Sequence, residues 1–421
     1  MLPTEIIEVI LFMLPRASHN LWFFVSKHFN TLLECKYEDR CKYSFMRDII
    51  ELTASEAHLD ILIWVKDISK NNHLLCCASK YAAKYGHMII LKWLQNIGDK
   101  FNSDTCNGAA EGGHLDILKW LVSIGVPFDN YVCTYAAKSG IKKILKWCIK
   151  KGATWTQNIC GTAISDAACN NHFDLVKWIH TDNVNNGNYS INGYHVCFGA
   201  ARNGNFDMLI WAREYGYIWS DCASDIAAEK GHIEILKWAK LNNCYLSDRV
   251  CYKAALHNQL AVLQWARNNG CEWNIHTSVC AAYGGNIEVL KWVYNNGCKI
   301  DSHVCSYAAY KGHFELLQWI RSIGCSWTSE TCACAVLGNH FDILKWAVAN
   351  GCDIDAKTYT IAIKYKRTNI IKWYSDNGYE QKMEEIFYDS KWAETYFVRN
   401  DSNKHSWIYH VTDYPDWLYI D

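Results

Sequence analysis

Cysteine and histidine are the side chains of this chain best able to do chemistry, and both recur at fixed spacings. The 421 residues hold 21 Cys and 17 His. Thiols and imidazoles at set intervals are the donors of zinc sites, and paired thiols form disulfides. The spacing points elsewhere. Cys106, Cys133, Cys160, Cys197, Cys251, Cys305 and Cys332 each stand three residues before an Ala. Cys244, Cys271, Cys298, Cys325 and Cys352 each follow Gly or Asn at the end of a recurring unit. No C-x-x-C occurs and the Cys count is odd. The expected role is a small apolar filler inside a helical stack. Equivalent thiols of neighbouring units could approach closely enough to cross-link, and a reducing compartment would keep them as thiols. His87, His114, His172, His232, His313 and His340 recur at a turn, where other units carry Asn205, Gln259 and Asn286. An amide can stand in for a hydrogen-bonding imidazole but not for a transition-metal ligand. A structural His is therefore expected, with no metal and no cofactor. P-loop, H-E-x-x-H, G-x-S-x-G and dinucleotide fingerprints are all absent from the sequence, so no catalytic residue is assigned and no enzyme is expected.

The element that must position these residues is set by tryptophan. Trp64 opens a series that continues through Trp93, Trp120, Trp147, Trp178, Trp211, Trp238, Trp265, Trp292, Trp319, Trp346 and Trp373, and eight of the eleven steps are 27 residues long. A fixed period of this size means stacked supersecondary units. In one unit Cys106, Ala109 and Ala110 form a narrow face of small side chains on a first helix. Gly112 and Gly113 end that helix through the left-handed conformation that glycine favours. Leu115, Leu118, Trp120 and Leu121 cover a second helix, and Gly125 closes the unit. The fold class expected is an all-α helix-turn-helix solenoid of about twelve repeats. It occupies 50–380, behind a helical segment at 1–45 and before a C-terminal cap and tail at 381–421.

Net charge is −1 with pI near 7.0, and no block of like charges occurs. Neither nucleic acid nor membrane is expected as a partner. The segment 6–14 is apolar but lacks a basic flank and a cleavage site, so it does not read as a signal peptide. A cytoplasmic monomer is expected. The Trp residues read as buried, and the Lys that precedes most of them as a solvated stripe. Two long steps, 31 residues from Trp147 to Trp178 and 33 from Trp178 to Trp211, place insertions near 161–166 and 183–193. Insertions of this kind are expected as surface loops.

The pattern resembles the ankyrin repeat. The residues that carry the likeness are Ala82-Ala83 with Gly86-His87, Ala227-Ala228 with Gly231-His232, and Ala308-Ala309 with Gly312-His313. The period of 27 departs from that family's usual length, which implies a shortened finger between repeats, and Trp replaces a usual Leu. Shortened Trp-rich repeats of this kind are similar to those of large DNA viruses. In the ankyrin family the residue after the Ala pair faces the binding surface. Here that column reads Lys84, Glu111, Lys138, Arg202 and Glu229, then Leu256, Tyr283, Tyr310 and Leu337. The last four would form an apolar ridge of about 30 Å and a surface for a protein target.

The start of the chain reads Leu2-Pro3-Thr4-Glu5-Ile6-Ile7, with Ile10, Leu14-Pro15 and Val25-Ser26-Lys27 following. Pro3 suits a helix start, and Ile6, Ile7, Ile10 and Leu14 lie on one stripe. On residues alone this is a small helical cluster able to cap the array. It also resembles an F-box. That likeness implies contact of Leu2, Pro3, Ile6, Ile7 and Ile10 with the Skp adaptor of a cullin-RING ubiquitin ligase, with the repeats holding the target. The alternative is a repeat scaffold or decoy with no ligase link.

Overall fold

The computed structural model describes residues 50–69, 76–185, 194–246 and 249–379. The F-box-like segment with Leu2, Pro3, Ile6, Ile7 and Ile10, the tail at 381–421 and most of the Asn-rich insertion lie outside them. Among the described residues the regular structure is helical throughout. The chain divides into two compact units, Met1–Ser247 and Asp248–Asp421. Within each, helix pairs stack into an all-α solenoid.

First helices pack on first helices. In the first unit Cys76–Lys84 lies on Ser103–Glu111, which lies on Val132–Lys138, which lies on Gln157–Cys169. In the second, Val250–Leu256, Ile275–Tyr283, Ser302–Lys311 and Ser329–Leu337 follow one another in the same way. The seam is made of small side chains. Cys106, Ala109, Ala110, Cys305, Ala308 and Ala309 are fully buried, so adjacent backbones can approach closely. Most second helices bury a stripe at i, i+1 and i+4, such as Ile117, Leu118 and Leu121, or Leu316, Leu317 and Ile320. Where a first helix begins, Asn102, Asn274, Asp301 and Asp355 accept backbone N–H bonds as N-caps, each stabilising its helix by about 1 kcal/mol.

The glycine pair at the turn divides its labour. Gly113 is left-handed, at φ +85, as a C-terminal glycine should be. Asn171, Asn258 and Asn339 take that place in other repeats at φ near +60. Gly112 is not left-handed: its φ is −75. It is needed for space, because a Cβ there would lie 1.7 Å from the Lys84 carbonyl oxygen of the preceding repeat.

Two expectations are corrected. The insertion near 161–166 is not a loop. It lies inside Gln157–Cys169, a helix of 13 residues against the usual 9. Four extra residues add about one turn of helix, so Cys160, Ala163, Ala167 and Ala168 all remain buried. Nor are the recurring Trp fully buried: Trp93, Trp120, Trp147, Trp178, Trp211, Trp238, Trp265, Trp292, Trp319, Trp346 and Trp373 are half-buried. They join repeats edge to face. Trp346 meets Phe314 at 5.4 Å and Trp327 at 5.6 Å between ring centroids, and Trp211 meets Phe173 at 5.7 Å. The Lys stripe is held by i,i+3 pairs such as Lys237–Glu234 at 2.7 Å and Lys345–Asp342 at 2.9 Å. Exposed pairs of that kind add a few tenths of a kcal/mol at most, about 0.3.

Candidate functional site

The column after the Ala pair lies at the C-terminal end of each first helix, so each repeat contributes one residue to it. In the first unit it is charged except at Cys169, which follows Ala167-Ala168 and is absent from the sequence-derived column. Lys84 Nζ lies 2.9 Å from Glu111 of the next repeat, both partly buried, and Lys138 stands 4.8 Å over the Tyr135 ring. In the second unit it is Leu256, Tyr283, Tyr310 and Leu337, all half-buried. The aromatic pair is drawn together, with ring centroids 6.4 Å apart. Tyr307, three residues before Tyr310, lies 6.0 Å from Tyr283 edge to face. Lys311 places its ammonium 4.2 Å above Tyr283 and 5.5 Å above Tyr310. Tyr307 and Lys311 were not part of the sequence-derived surface. The spacing of Tyr307 to Tyr310 was the available signal, since residues three apart share a helix face.

The turn residue of the following repeat fixes this column from behind. His313 Nε2–H donates to the Tyr283 carbonyl at 3.1 Å, and His340 to that of Tyr310. Asn286 Nδ2 donates to the Leu256 carbonyl at 3.0 Å, and an Arg367 guanidinium N–H donates to that of Leu337 at 2.9 Å. In the first unit His87, His172 and His232 donate to the carbonyls of Ser55, Lys138 and Arg202. These histidines serve the backbone, as the amide replacements implied. Among the described residues no three His, Cys, Asp or Glu side chains converge on one point.

No protein-family model matches the chain, and no curated protein does so either. Solved structures similar to it include helical repeat proteins. The human ASB11 ankyrin repeat domain is 19% identical, with a TM-score of 0.31, over 40% of this chain and 84% of that one. The maize pentatricopeptide repeat protein PPR10 is 12% identical, with a TM-score of 0.37, over 85% of this chain and 60% of that one. The same protein in complex with an 18-nt psaJ RNA element matches at 12% identity and a TM-score of 0.36, over 89% of this chain and 63% of that one. The packing of first helix on first helix establishes the repeat architecture independently of these likenesses.

Burial pushes the Cys106, Cys133, Cys148, Cys160, Cys197, Cys251 and Cys280 thiols up to about 12. Thiols held there do not act as nucleophiles near neutral pH. No helix among the described residues is long and apolar enough to cross a membrane.

Burial holds His340 below the ordinary imidazole value of 6.5, against an upward pull from its bond to the Tyr310 carbonyl. The folded chain therefore binds this proton at lower pH than the unfolded chain. The contribution is complete above about pH 6.5 and is lost as pH falls through the lowered folded value. Burial lowers His180 as well. His340→Asn keeps an N–H donor, as Asn286 does in its own repeat. It is expected to shrink the acid-induced fall in the urea midpoint and leave the shares of the other groups held low in the folded chain, His180 and Asp355 among them. An unchanged fall would remove His340 from the pH dependence.

Proposed function

We propose that this chain is a non-catalytic, protein-binding repeat scaffold whose target docks on the Leu256, Tyr283, Tyr310 and Leu337 ridge. The observation that carries the reading is the ordered aromatic pair. Tyr283 and Tyr310 are held by each other, by Lys311 above and by bonded carbonyls behind. Aromatic anchors already in place lose little freedom on binding and make interface hot spots.

The finer reading is that of a substrate-recruiting subunit of a cullin-RING ligase. Its support is the run from Leu2-Pro3 through Leu14-Pro15 to Val25-Ser26-Lys27, which is similar to an F-box. Ligation chemistry then belongs to the partner complex, and the repeats present the target. The same resemblance in the repeats supports a viral origin and work in a host cytosol. The other reading is a scaffold or decoy in which the N-terminal segment only caps the array.

A pull-down of purified Skp adaptor by the intact chain, beside a Leu2→Ala, Pro3→Ala double variant, separates them. Retention by the parent at least tenfold above the variant is expected. No retention by either chain would leave the scaffold reading alone. The ridge is tested by quantifying proteins retained by the parent, by Tyr283→Ala with Tyr310→Ala, and by Lys84→Ala with Arg202→Ala. A target lost with both pairs equally would sink the ridge as the specific contact.

A further inference from the structure

The second unit brings two pairs of thiols into direct sulfur contact, which the proposed function leaves unused. In the repeat that begins at Ser302, Cys305 is fully buried in the first helix and Cys325 is half-buried in the closing loop. Their sulfurs are 4.0 Å apart, and the Cys325 thiol lies 3.2 Å from the Asp301 carbonyl at the start of the same repeat. The sulfur contact recurs one repeat later, where Cys332 and Cys352 are both buried. The Cys352 thiol lies 3.2 Å from the Thr328 carbonyl, and the Cys332 thiol donates to the Cys352 sulfur. In each case the second Cys follows the first by 20 residues. Contact is therefore made within a repeat, between its first helix and its closing loop.

We propose that Cys305–Cys325 and Cys332–Cys352 are dithiol sites that a low-molecular-weight disulfide, such as oxidised glutathione, converts into two intra-repeat cystines. A disulfide needs its sulfurs about 2.05 Å apart. Closing that gap requires Cys325 to give up its contact with the Asp301 carbonyl, and Cys352 its contact with that of Thr328. Neither pair needs the repeats to move past one another.

At Cys305–Cys325 the order of steps follows from exposure and charge. The Cys305 thiol donates to the Cys325 sulfur, which lowers the Cys325 thiol and raises that of Cys305. The half-exposed sulfur is thus the one that ionises first. Arg321 adds a fixed cation, since its guanidinium donates to the Cys325 carbonyl and lies 4.0 Å over the Trp327 ring. A cation beside a partly exposed thiol is the setting that makes thiols reactive. The Cys325 thiolate attacks one sulfur of oxidised glutathione and expels glutathione thiolate. Cys305 then loses its proton to that thiolate or to water and attacks the Cys325 sulfur, and the second glutathione leaves as thiolate. Two protein thiols are oxidised and one disulfide is reduced to two thiols.

The repeat that begins at Ile275 supplies an internal control, whereas in the one before it the Cys251 thiol meets the Cys271 carbonyl. Cys298 makes the same contact to the Asn274 carbonyl at 3.3 Å, but Ser278 stands where its partner thiol would be. No cystine can form there.

The test uses the full chain, equilibrated in glutathione buffers from reducing to oxidising, alkylated, and cut after Lys, Arg and Glu. Cross-linked peptides 300–311 with 322–330 and 331–345 with 346–357 are expected, each about 2 Da below the sum of its reduced halves. The peptide carrying Cys298 should not be cross-linked to that carrying Ser278's helix. In Cys305→Ser the 322–330 peptide should instead carry a glutathione adduct. Adducts on Cys325 of the parent chain without a cross-link would overturn the proposal, as would cross-links scattered among the 21 thiols. The parent peptide map decides even if the Ser variant fails to fold.

Discussion

Gly338→Ala is expected to destabilise the chain by about 3 kcal/mol, at the upper end of the usual cost of overpacking. Gly338 closes the first helix Ser329–Leu337 at φ −72, a conformation open to any residue. Its requirement is room. An added Cβ would lie 2.0 Å from the Tyr310 carbonyl oxygen and 2.7 Å from the His340 ring. Neither obstacle is the free end of a flexible side chain. One is backbone of the preceding repeat, and the other is the imidazole bonded to it. The two repeats must separate, and in a repeat array the loss falls on the interface between neighbours. Gly351→Ala is the matched control. Gly351 is left-handed at φ +84 with nothing within 4 Å of its Cβ position, so only conformational strain of about 1 kcal/mol is expected. Urea unfolding of both variants, with hydrogen exchange over 302–345, reads the difference. Equal losses in the two would mean that contact between repeats is not what this glycine secures. A further consequence concerns the ridge: Gly338→Ala should weaken target binding by displacing Tyr310, whereas Gly351→Ala should not.

Trp346→Ala is expected to cost about 3 kcal/mol, the low end for truncating a large aromatic, since this ring is half-buried. Trp346 meets Phe314 of the preceding repeat at 5.4 Å and Trp327 of the intervening loop at 5.6 Å, both edge to face. Each such pair contributes about 1 kcal/mol beyond burial. The side chain therefore ties three elements of the second unit together: a second helix, the one before it and the loop between. Trp346→Leu, the residue usual in the repeats this chain resembles, should recover about half of the loss by refilling volume without restoring the edge contacts. Thermal and urea unfolding of Trp346→Ala, Trp346→Leu and the parent chain would test this. If Leu and Ala were equally destabilising, the ring contacts rather than the filled volume would carry the whole effect. If Leu matched the parent chain, the aromatic edges would contribute nothing.

The two effects explain why the Trp period is visible at all. A half-buried indole at each step reaches both the helix before it and the loop beside it, which a shorter aliphatic chain cannot do. Across the first helices the join is made by Cys and Ala with bonded carbonyls. Removing either seam should loosen the array, and the proposed cystines would reinforce the second one from within single repeats.

Much of this could be read from the order of residues alone. The 27-residue period, the Cys and Ala face and the Gly-His turn fixed helix, turn and helix, because a helix writes its buried face into the sequence at intervals of three and four. The interchange of His with Asn and Gln was enough to assign a hydrogen-bonding role, since hydrogen bonding is common to the three and transition-metal ligation is not. Stacking decided the rest. Gly112 and Gly113 look alike in sequence, yet one answers to a neighbouring carbonyl and the other to its own dihedral angle. The extra residues after Cys160 read as a loop and became a turn of helix, because about four residues preserve the buried face. The Trp residues read as buried and stand half-exposed, because their partners lie in the adjacent repeat. Cys305 and Cys325 belong to different recurring positions, and only the fold of one repeat upon itself brings their sulfurs to 4.0 Å. Periodicity states which residues share a face; distances between faces arise only when the units pack.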